Sequence, residues 1–501
     1  MRVRRVSMAV FLFSLLCSQG SYAAEPTLIA IGSVSGLYED FATQTAAPLA
    51  NKVPGNRLGG IGSGLAYLGG DWFLALPDRG PNALPYNSCL DDTVDYINRF
   101  HTFHLSLSPS DPGSLLPVTL TPMLVGTTLL SSRTPLVYGA GCNGTGSGVP
   151  ALNAVDHTHY FTGRSDGFDP SRLSTNPNDA RFDSESIRVS NDRRHVYISD
   201  EYGPYVYEFD RMTGERTRVF TLPKAFAVSN LSAMGAVEIS SNTANGRITN
   251  KGMEGLAITP NGKMLVGAMQ SPLAQDGGDV KGGVTRIVTL DINTGAIHQY
   301  AYQLDQATKT TISDIVAIND HEFLVDERDS KGRADTVGSK AGFKKLFVID
   351  LQFAHDVSGI SGFTGPASAP VANIAPFAVA KTEFLDVVHA LTSAPTSLDP
   401  TQIPAKLEGI TFGQDVTYTD PVLHTQVTRH TLFIGNDNDF LATLAPPVGN
   451  GDNPNQFFVF AFDDADLPFF APQRFHRGDD DDDHDGDRGH GRDGDHDRRP
   501  W

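Results

Sequence analysis

The stretch EGLAITPNGKMLVGAMQS, from Glu254 to Ser271, decides how the chain is expected to fold. It begins with a glutamate and a glycine, continues as a short apolar run, turns at Asn261 and Gly262, and returns as a second apolar run that ends at Gln270. An Asn-Gly pair between two apolar runs is typical of a β-hairpin. The stretch therefore predicts a hairpin whose first strand begins, and whose second strand ends, in polar residues.

The same pattern recurs along the chain. Four further units start with Glu or Ser, then a small or polar residue, then an apolar one; they begin at Ser63, Glu185, Ser313 and Glu408. Third strands such as KLFVID (345–350) follow. Repeated four-stranded antiparallel units hide their edges by closing around an axis. We therefore expect an all-β fold, a β-propeller.

The number of blades follows from the spacing of the units. Five units are clear, but the interval between the first and the second is much longer than the others, so residues 129–182 are interpreted as an insertion that could hold a diverged sixth blade. Six blades are favoured, and five remain the alternative. The strand TLIAIGSV (27–34) has no nearby partner and is predicted to complete the last blade. Residues 355–380, rich in Gly, Ala, Ser and Pro, are interpreted as an insertion in the fourth unit. The propeller domain is predicted over residues 25–472.

Both ends of the sequence differ from the repeats. Residues 1–24 combine a basic start, the short apolar run MAVFLFSLLC (8–17) and a small-x-small site at Ser21 to Ala23, which indicates a signal peptide. No later stretch is apolar enough for a transmembrane helix. We expect a mature protein exported to the periplasm or the cell exterior, with no transmembrane segment. Residues 473–501 form an Asp/His/Arg-rich tail that is predicted to be disordered.

Charge and cysteine content narrow the possible partners. The 501-residue chain carries a formal charge of −19, which argues against nucleic acid because phosphate binding needs a basic surface. After export only Cys89 and Cys142 would remain, and in an oxidising compartment they are predicted to pair as a disulfide. Two free thiols are the alternative. The sequence gives no signal for an oligomeric state.

The polar ends of the hairpins carry the functional expectation. In a hairpin the start of one strand and the end of the next lie together, so these residues should converge on one mouth of the central channel. We expect catalytic roles for Arg79, Glu185, Asp200, Glu201, Glu254 and Arg328. We expect a divalent cation, Ca²⁺ above all, to be bound by Asp78, Glu254, Asp326, Glu327, Glu408, Asp437 and Asp439. Each of these carboxylates could instead hold blades together, and the sequence leaves that alternative open.

Several ordered motifs resemble a known family. SGLAYLGGDWFLALPDRGPN (63–82), SDEYGP (199–204), MEGLAI (253–258), VDERD (325–329) and IGNDNDF (434–440) together resemble the phytase-like family, described as having esterase-like activity of phytase. The resemblance implies a propeller related to calcium-dependent phosphomonoesterases that use an activated water.

Three functions remain open at this stage. The first is a hydrolase of phosphate or carboxylic esters that acts on a small anionic or ester substrate with a cation at the acidic mouth. The second is a non-catalytic propeller that binds a ligand or an envelope partner. The third is a lactonase-like metal hydrolase.

Overall fold

The computed structural model describes residues 25–82, 94–139, 148–164, 174–232, 235–241, 244–365, 370–446 and 451–475. The predicted signal peptide, Cys89 and Cys142, and the acidic tail from residue 476 onward lie outside these residues. No helix in the described part of the chain is long and apolar enough to cross a membrane.

In the described residues, five antiparallel sheets of four strands form the blades of a β-propeller. Strands are given from the axis outward. Blade 1 consists of Gly64–Gly69, Trp72–Leu76, Arg99–Pro109 and Val118–Leu129. Blade 2 consists of Ser184–Val189, His195–Asp200, Tyr205–Asp210 and Arg216–Thr221. Blade 3 consists of Met253–Ile258, Met264–Met269, Val284–Asp291 and Ile297–Gln303.

The last two blades contain additional segments. Blade 4 consists of Thr311–Ala317, Glu322–Arg328, Lys344–Asp350 and Lys381–Asp386. Blade 5 consists of Leu407–Phe412, Gln426–Asn436, Asn455–Phe462 and Thr27–Val34, with Val416–Thr419 paired to the second of these strands. The segment 355–380 lies between the third and outer strands of blade 4 and includes the two-residue strands Phe363–Thr364 and Val371–Ala372.

Short elements connect or flank the blades. Their helices are Leu152–Asp156, Gly235–Ser241 and Val387–Thr392. Their 3-10 turns are Thr43–Thr45, Lys224–Phe226, Ala274–Asp276 and Ala375–Phe377. The remaining two-residue strands are Ser131–Ser132 with His159–Tyr160, and Thr443–Leu444 with Gly451–Asp452.

The N-terminal strand closes the ring, as predicted. It pairs antiparallel with the third strand of blade 5, with Ile31 opposite Phe458. On the inner side, Gly409 N of blade 5 donates to Gly62 O beside blade 1 at 2.7 Å. Blade 5 is therefore built from both ends of the described chain.

The described residues form five blades and not the favoured six, which confirms the alternative that the spacing left open. Between blades 1 and 2 the described residues of 129–182 form one short helix and two two-residue strands. A Cβ on Gly64 would lie 2.9 Å from Glu185 O, so the innermost strands of blades 1 and 2 are direct neighbours. No sixth sheet fits between them.

Apolar side chains fill each interface between neighbouring blades. Leu256 and Leu265 of blade 3 pack with Val206 of blade 2, for example, and the rings of Phe73 and Phe433 meet at 4.6 Å between blades 1 and 5. Because a blade is covered on both faces, its second strand is apolar at nearly every position, as in LVGAM. The continuous apolar runs of the sequence follow from this burial.

The end of the channel at which the hairpins turn is covered by a C-terminal strap, residues 471–475. Ala471 N donates to Ile318 O of blade 4 at 2.8 Å, and the Gln473 side chain donates to Val189 O of blade 2 at 2.7 Å. Phe475 contacts the ring of Tyr67 in blade 1. The strap therefore crosses the ends of several innermost strands, and the other end of the channel remains as the mouth.

Candidate functional site

A cavity of about 470 Å³ lies at the channel mouth, where the innermost strands begin and the second strands end. All of its lining residues within the described chain are polar or charged. The acidic ones are Asp78, Glu185, Glu201, Glu254, Asp279, Asp329, Glu408 and Asp437. The basic ones are Arg79, Lys251, Lys309, Arg328, Lys331 and Lys406. The open ends of the hairpins, where the first strand begins and the second strand ends, therefore meet in one cavity from all five blades.

Irregularities in the innermost strands accompany the glutamates at the mouth. The pairing register shifts between Ser184 and Ile187, between Met253 and Gly255, and between Leu407 and Ile410. Such a β-bulge re-aims the side chain at the extra residue. Glu185, Glu254 and Glu408 occupy these positions, so the bulges account for the place of their side chains in the cavity wall.

Arg79 pairs with the carboxylates on one side of the cavity. Its Nη1 lies 2.8 Å from Asp183 Oδ2 and 3.5 Å from Glu201 Oε2, and it also contacts the amide oxygen of Asn250. Burial, and then the charge of Asp183, raises the pKa of Glu201 to about 7. Glu201 can therefore exchange a proton near neutral pH.

Arg328 and Lys406 bind the carboxylates on the other side. Arg328 Nη2 is paired with Glu408 Oε1, and its Nε donates to Ser313 Oγ at 2.6 Å. Lys406 Nζ lies 2.7 Å from Asp437 Oδ2 and 2.5 Å from Asp439 Oδ1. Two bases therefore face three carboxylates, and burial raises the pKa of Asp437 to about 7.

Among the acidic residues of the cavity wall, Glu185, Glu254 and Asp78 form no ion pair with a base in the described part of the chain. Among the described residues the Glu185 carboxylate has no hydrogen bond or ion pair, and Glu254 has one hydrogen bond, from Gln270 Nε2 at 2.8 Å. Glu254 Oε2 is buried without any partner. Burial raises the pKa of both groups, and for Glu185 the charge of Glu254 is the next cause. The pair is an uncompensated acidic spot in the cavity wall.

The oxygen donors at the mouth fit a hard divalent cation. One carboxylate oxygen from each of Asp183, Glu185 and Glu201 lies within 4.8 Å of the others, and Asp78, Asp437 and Asp439 form a second such group. Carboxylate oxygens at this spacing are typical ligands of Ca²⁺. Each group also contacts one base, Arg79 in the first and Lys406 in the second, so a bound cation would share its carboxylates with that base. The buried orphan oxygen of Glu254 supports the same fit, since a bound cation would satisfy it.

Some of the expected site residues lie outside the cavity wall. Asp200 Oδ1 accepts hydrogen bonds from Asp183 N and Tyr202 N, and Glu327 accepts from Tyr302, Thr310 and Lys381. Asp326 is buried behind the wall, where Arg328 and Lys344 are the nearest opposing charges. Asp439 does not line the cavity, and its carboxylate pairs with Lys406, which does. The structure brings together Asp78, Arg79, Glu185, Glu201, Glu254, Arg328, Glu408 and Asp437.

Sequence reasoning missed the lysines and Asp183. Asp183 and Lys406 stand two residues before Glu185 and Glu408, and Lys251 stands three residues before Glu254. The segment that leads into each innermost strand must pass the mouth. Charged residues just before each repeat could therefore have been predicted to lie there.

Comparison with known proteins agrees with the motifs. The model of the phytase-like family, described as esterase-like activity of phytase, matches residues 56–440. The chain belongs to this family. A protein of Arthroderma benhamiae described as an uncharacterized secreted protein is 29% identical over 335 residues, which cover 56% of this chain and 61% of that relative. The match therefore spans less than two thirds of the relative.

Solved structures resemble the chain only distantly. The periplasmic gluconolactonase of Pseudomonas aeruginosa aligns over 87% of this chain and 99% of its own, with 10% identity and a TM-score of 0.29. The β-propeller domain of Cps50 from Myceliophteria thermophila aligns over 80% and 83%, with 8% identity and a TM-score of 0.25. Scores this low say nothing about activity.

Proposed function

We propose that the protein is an exported hydrolase of phosphate or carboxylic esters that works in the mouth cavity with a divalent cation, Ca²⁺. The observation that carries the proposal is the pair Glu185 and Glu254, without ion-pair partners, in a cavity lined by polar and charged residues. The family description, esterase-like activity of phytase, supports the reaction class. The leader-like residues 1–24 and the secreted relative support export.

The cation would be held by Glu185 and Glu254, with Asp78 and Asp437 as further oxygen donors. When bound, such an ion polarises a substrate oxygen and makes a bound water more acidic. Without it, the repulsion between the two glutamates is relieved only by proton uptake, as the raised pKa values indicate. The acidic pair thus has a chemical reason to take a cation.

The remaining residues of the wall have roles that follow from their contacts. Arg79 is fixed by Asp183 and can hold an anionic substrate oxygen. Lys309, whose side chain is 58% exposed and lies 2.8 Å from Asp279, lines the cavity and can turn to a negatively charged substrate. Glu201, with its pKa near 7, can accept the proton of the attacking water.

A panel of substrates tests this proposal. Purified protein is assayed on an aryl phosphate, an aryl acetate and a simple lactone, with Ca²⁺ and with a chelator. We expect turnover of a phosphate or carboxylic ester that requires Ca²⁺ and falls about 100-fold or more in Glu185→Gln and Glu254→Gln. The matched control is Glu383→Gln, a change on the outer strand of blade 4. Turnover that survives both mouth variants would refute the site, and turnover of the lactone alone would favour the lactonase.

Binding without catalysis is the second candidate. It is favoured by the ion pairs of Arg79, Arg328 and Lys406, which neutralise much of the wall within the protein. An absence of turnover on every substrate, together with Ca²⁺ uptake by calorimetry, would support this reading. Export is tested separately by N-terminal sequencing of the protein recovered outside the cytoplasm.

A further inference from the structure

A buried ion pair lies on the propeller axis, between the cavity and the strap. Arg188 Nη2 is 2.9 Å from Asp314 Oδ2, and the two side chains are 4% and 0% exposed. Arg188 lies on the innermost strand of blade 2, and Asp314 on that of blade 4. Neither residue lines the mouth cavity, so neither can touch a substrate there.

Asp314 joins its own blade to three others. Its Oδ1 accepts from Ser186 Oγ at 2.9 Å and from Leu256 N at 3.3 Å, and its Oδ2 accepts from Ile410 N at 2.9 Å. Ser186 follows Glu185 directly, while Leu256 and Ile410 each stand two residues after a mouth glutamate, Glu254 and Glu408. One carboxylate thus holds the three strands that supply glutamates to the cavity.

Arg188 adds hydrogen bonds to the backbone of four blades. Its guanidinium donates to the carbonyl oxygens of Leu65, Ile187, Ile315 and Ile410, which belong to blades 1, 2, 4 and 5. Blade 1 begins with Ser63 instead of a glutamate, and it is held by Arg188 but not by Asp314. If the ion pair served only to close the channel, we would expect Asp314 to contact blade 1 as well as the three blades that carry a mouth glutamate.

We propose that Asp314, oriented by Arg188, is a positioning residue that sets the spacing of Glu185 and Glu254 for binding a divalent cation. The proposal rests on the proposed function, because it assigns these glutamates to a cation. Residues that orient metal ligands without touching the metal change its affinity roughly 10- to 100-fold when altered. Asp314 is expected to act on cation affinity to this extent.

The experiment measures Ca²⁺ affinity of the full chain by titration calorimetry, alongside the thermal midpoint in chelator. In Asp314→Asn a donor replaces an acceptor that faces backbone N–H groups, and we expect the Ca²⁺ dissociation constant to rise roughly 10-fold or more. Ser186→Gly is the milder variant, since Gly64, Gly255 and Gly409 stand at the same place in three other blades. It should fold, keep its midpoint in chelator, and bind Ca²⁺ more weakly.

Ser63→Gly is the matched control, a serine at the start of an innermost strand whose hydroxyl donates to Gly60 O and not to Asp314. Its Ca²⁺ affinity should equal that of the unchanged protein. Normal affinity in Asp314→Asn and Ser186→Gly, or a Ser186→Gly variant that loses thermal stability but not affinity, would overturn the positioning role. An unchanged protein that takes up no Ca²⁺ would overturn the proposed function itself, and the positioning role with it.

Discussion

Arg328 Nε donates to Ser313 Oγ at 2.6 Å, and Ser313 stands where blades 2, 3 and 5 carry a mouth glutamate. The shorter side chain leaves room for the guanidinium, which reaches across to pair with Glu408 of the next blade. Blade 4 thus contributes a positive charge to the ring of acidic residues. The mouth has one side without ion pairs, at Glu185 and Glu254, and one side that holds the bases Arg328 and Lys406.

Loss of the Arg328 guanidinium should cost stability. Arg328→Met leaves the buried Glu408 carboxylate without a base, and breaking such a pair typically lowers the free energy of unfolding by about 3–5 kcal/mol. Arg328→Met combined with Glu408→Gln should recover much of this loss. Urea denaturation of the two single variants and the double variant measures the coupling. Additive single effects would contradict the pairing.

Removal of one charge from the uncompensated pair should have the opposite effect. Because Glu185 and Glu254 repel each other in the buried wall, Glu254→Gln should raise the free energy of unfolding in chelator, by about 1 kcal/mol. The same variant should lose most of the stabilisation that Ca²⁺ gives the unchanged protein. Thermal unfolding with and without Ca²⁺ measures both effects, and Glu39→Gln, a change at an exposed position, serves as the comparison. A Glu254→Gln protein that is less stable in chelator would mean that the glutamate is structural.

Stability without a cation should fall as the pH rises. Burial raises the pKa of Asp200 to about 8 and, with neighbouring charges contributing, that of Glu201 and Asp437 to about 7, whereas their ordinary values are 3.8 to 4.5. Between those limits the folded state binds more protons than the unfolded state, so the free energy of unfolding decreases, by up to about 1.4 kcal/mol per pH unit for each group.

Urea denaturation in chelator between pH 5 and pH 8 tests this trend. The midpoint should fall steadily with pH, and saturating Ca²⁺ should flatten the dependence by stabilising the ionised carboxylates. A midpoint that rises from pH 5 to pH 8 in chelator would contradict the assignment of protonated carboxylates to the mouth.

The glycines of the repeat should not tolerate a methyl group. A Cβ on Gly255 would lie 2.9 Å from the backbone Cα of Asp314, so Gly255→Ala must displace an innermost strand. We expect a loss of about 1–3 kcal/mol, as for other overpacked cores. Gly359→Ala is the control, because nothing lies within 4 Å of its Cβ position. Equal stability of the two variants would show that the ring can expand.

The sequence predicted the hairpins because their turns and apolar runs are local. It also predicted the convergence of Glu185, Glu254 and Asp437, since hairpin geometry fixes which strand ends lie together. It could not separate Glu201, which lines the cavity, from Asp200, which holds a turn, because adjacent side chains at a strand end point to opposite sides. Arg188 and Asp314 were missed because their pairing depends on strands 126 residues apart. Six blades were favoured because the long interval between the first and second units, 129–182, has room for an additional blade, and the described residues of that interval form none.

The strap has a practical consequence for how the molecule is handled. Phe475 is the last described residue and lies by Tyr67, Gly69 and Arg193, at the far end of the channel from Glu185 and Glu254. A surface, bead or fusion partner joined directly after Phe475 would therefore sit behind the propeller, with the cavity facing the bulk solution. Attachment at this position is the orientation to choose for immobilised assays, because incoming molecules would reach the carboxylates unobstructed.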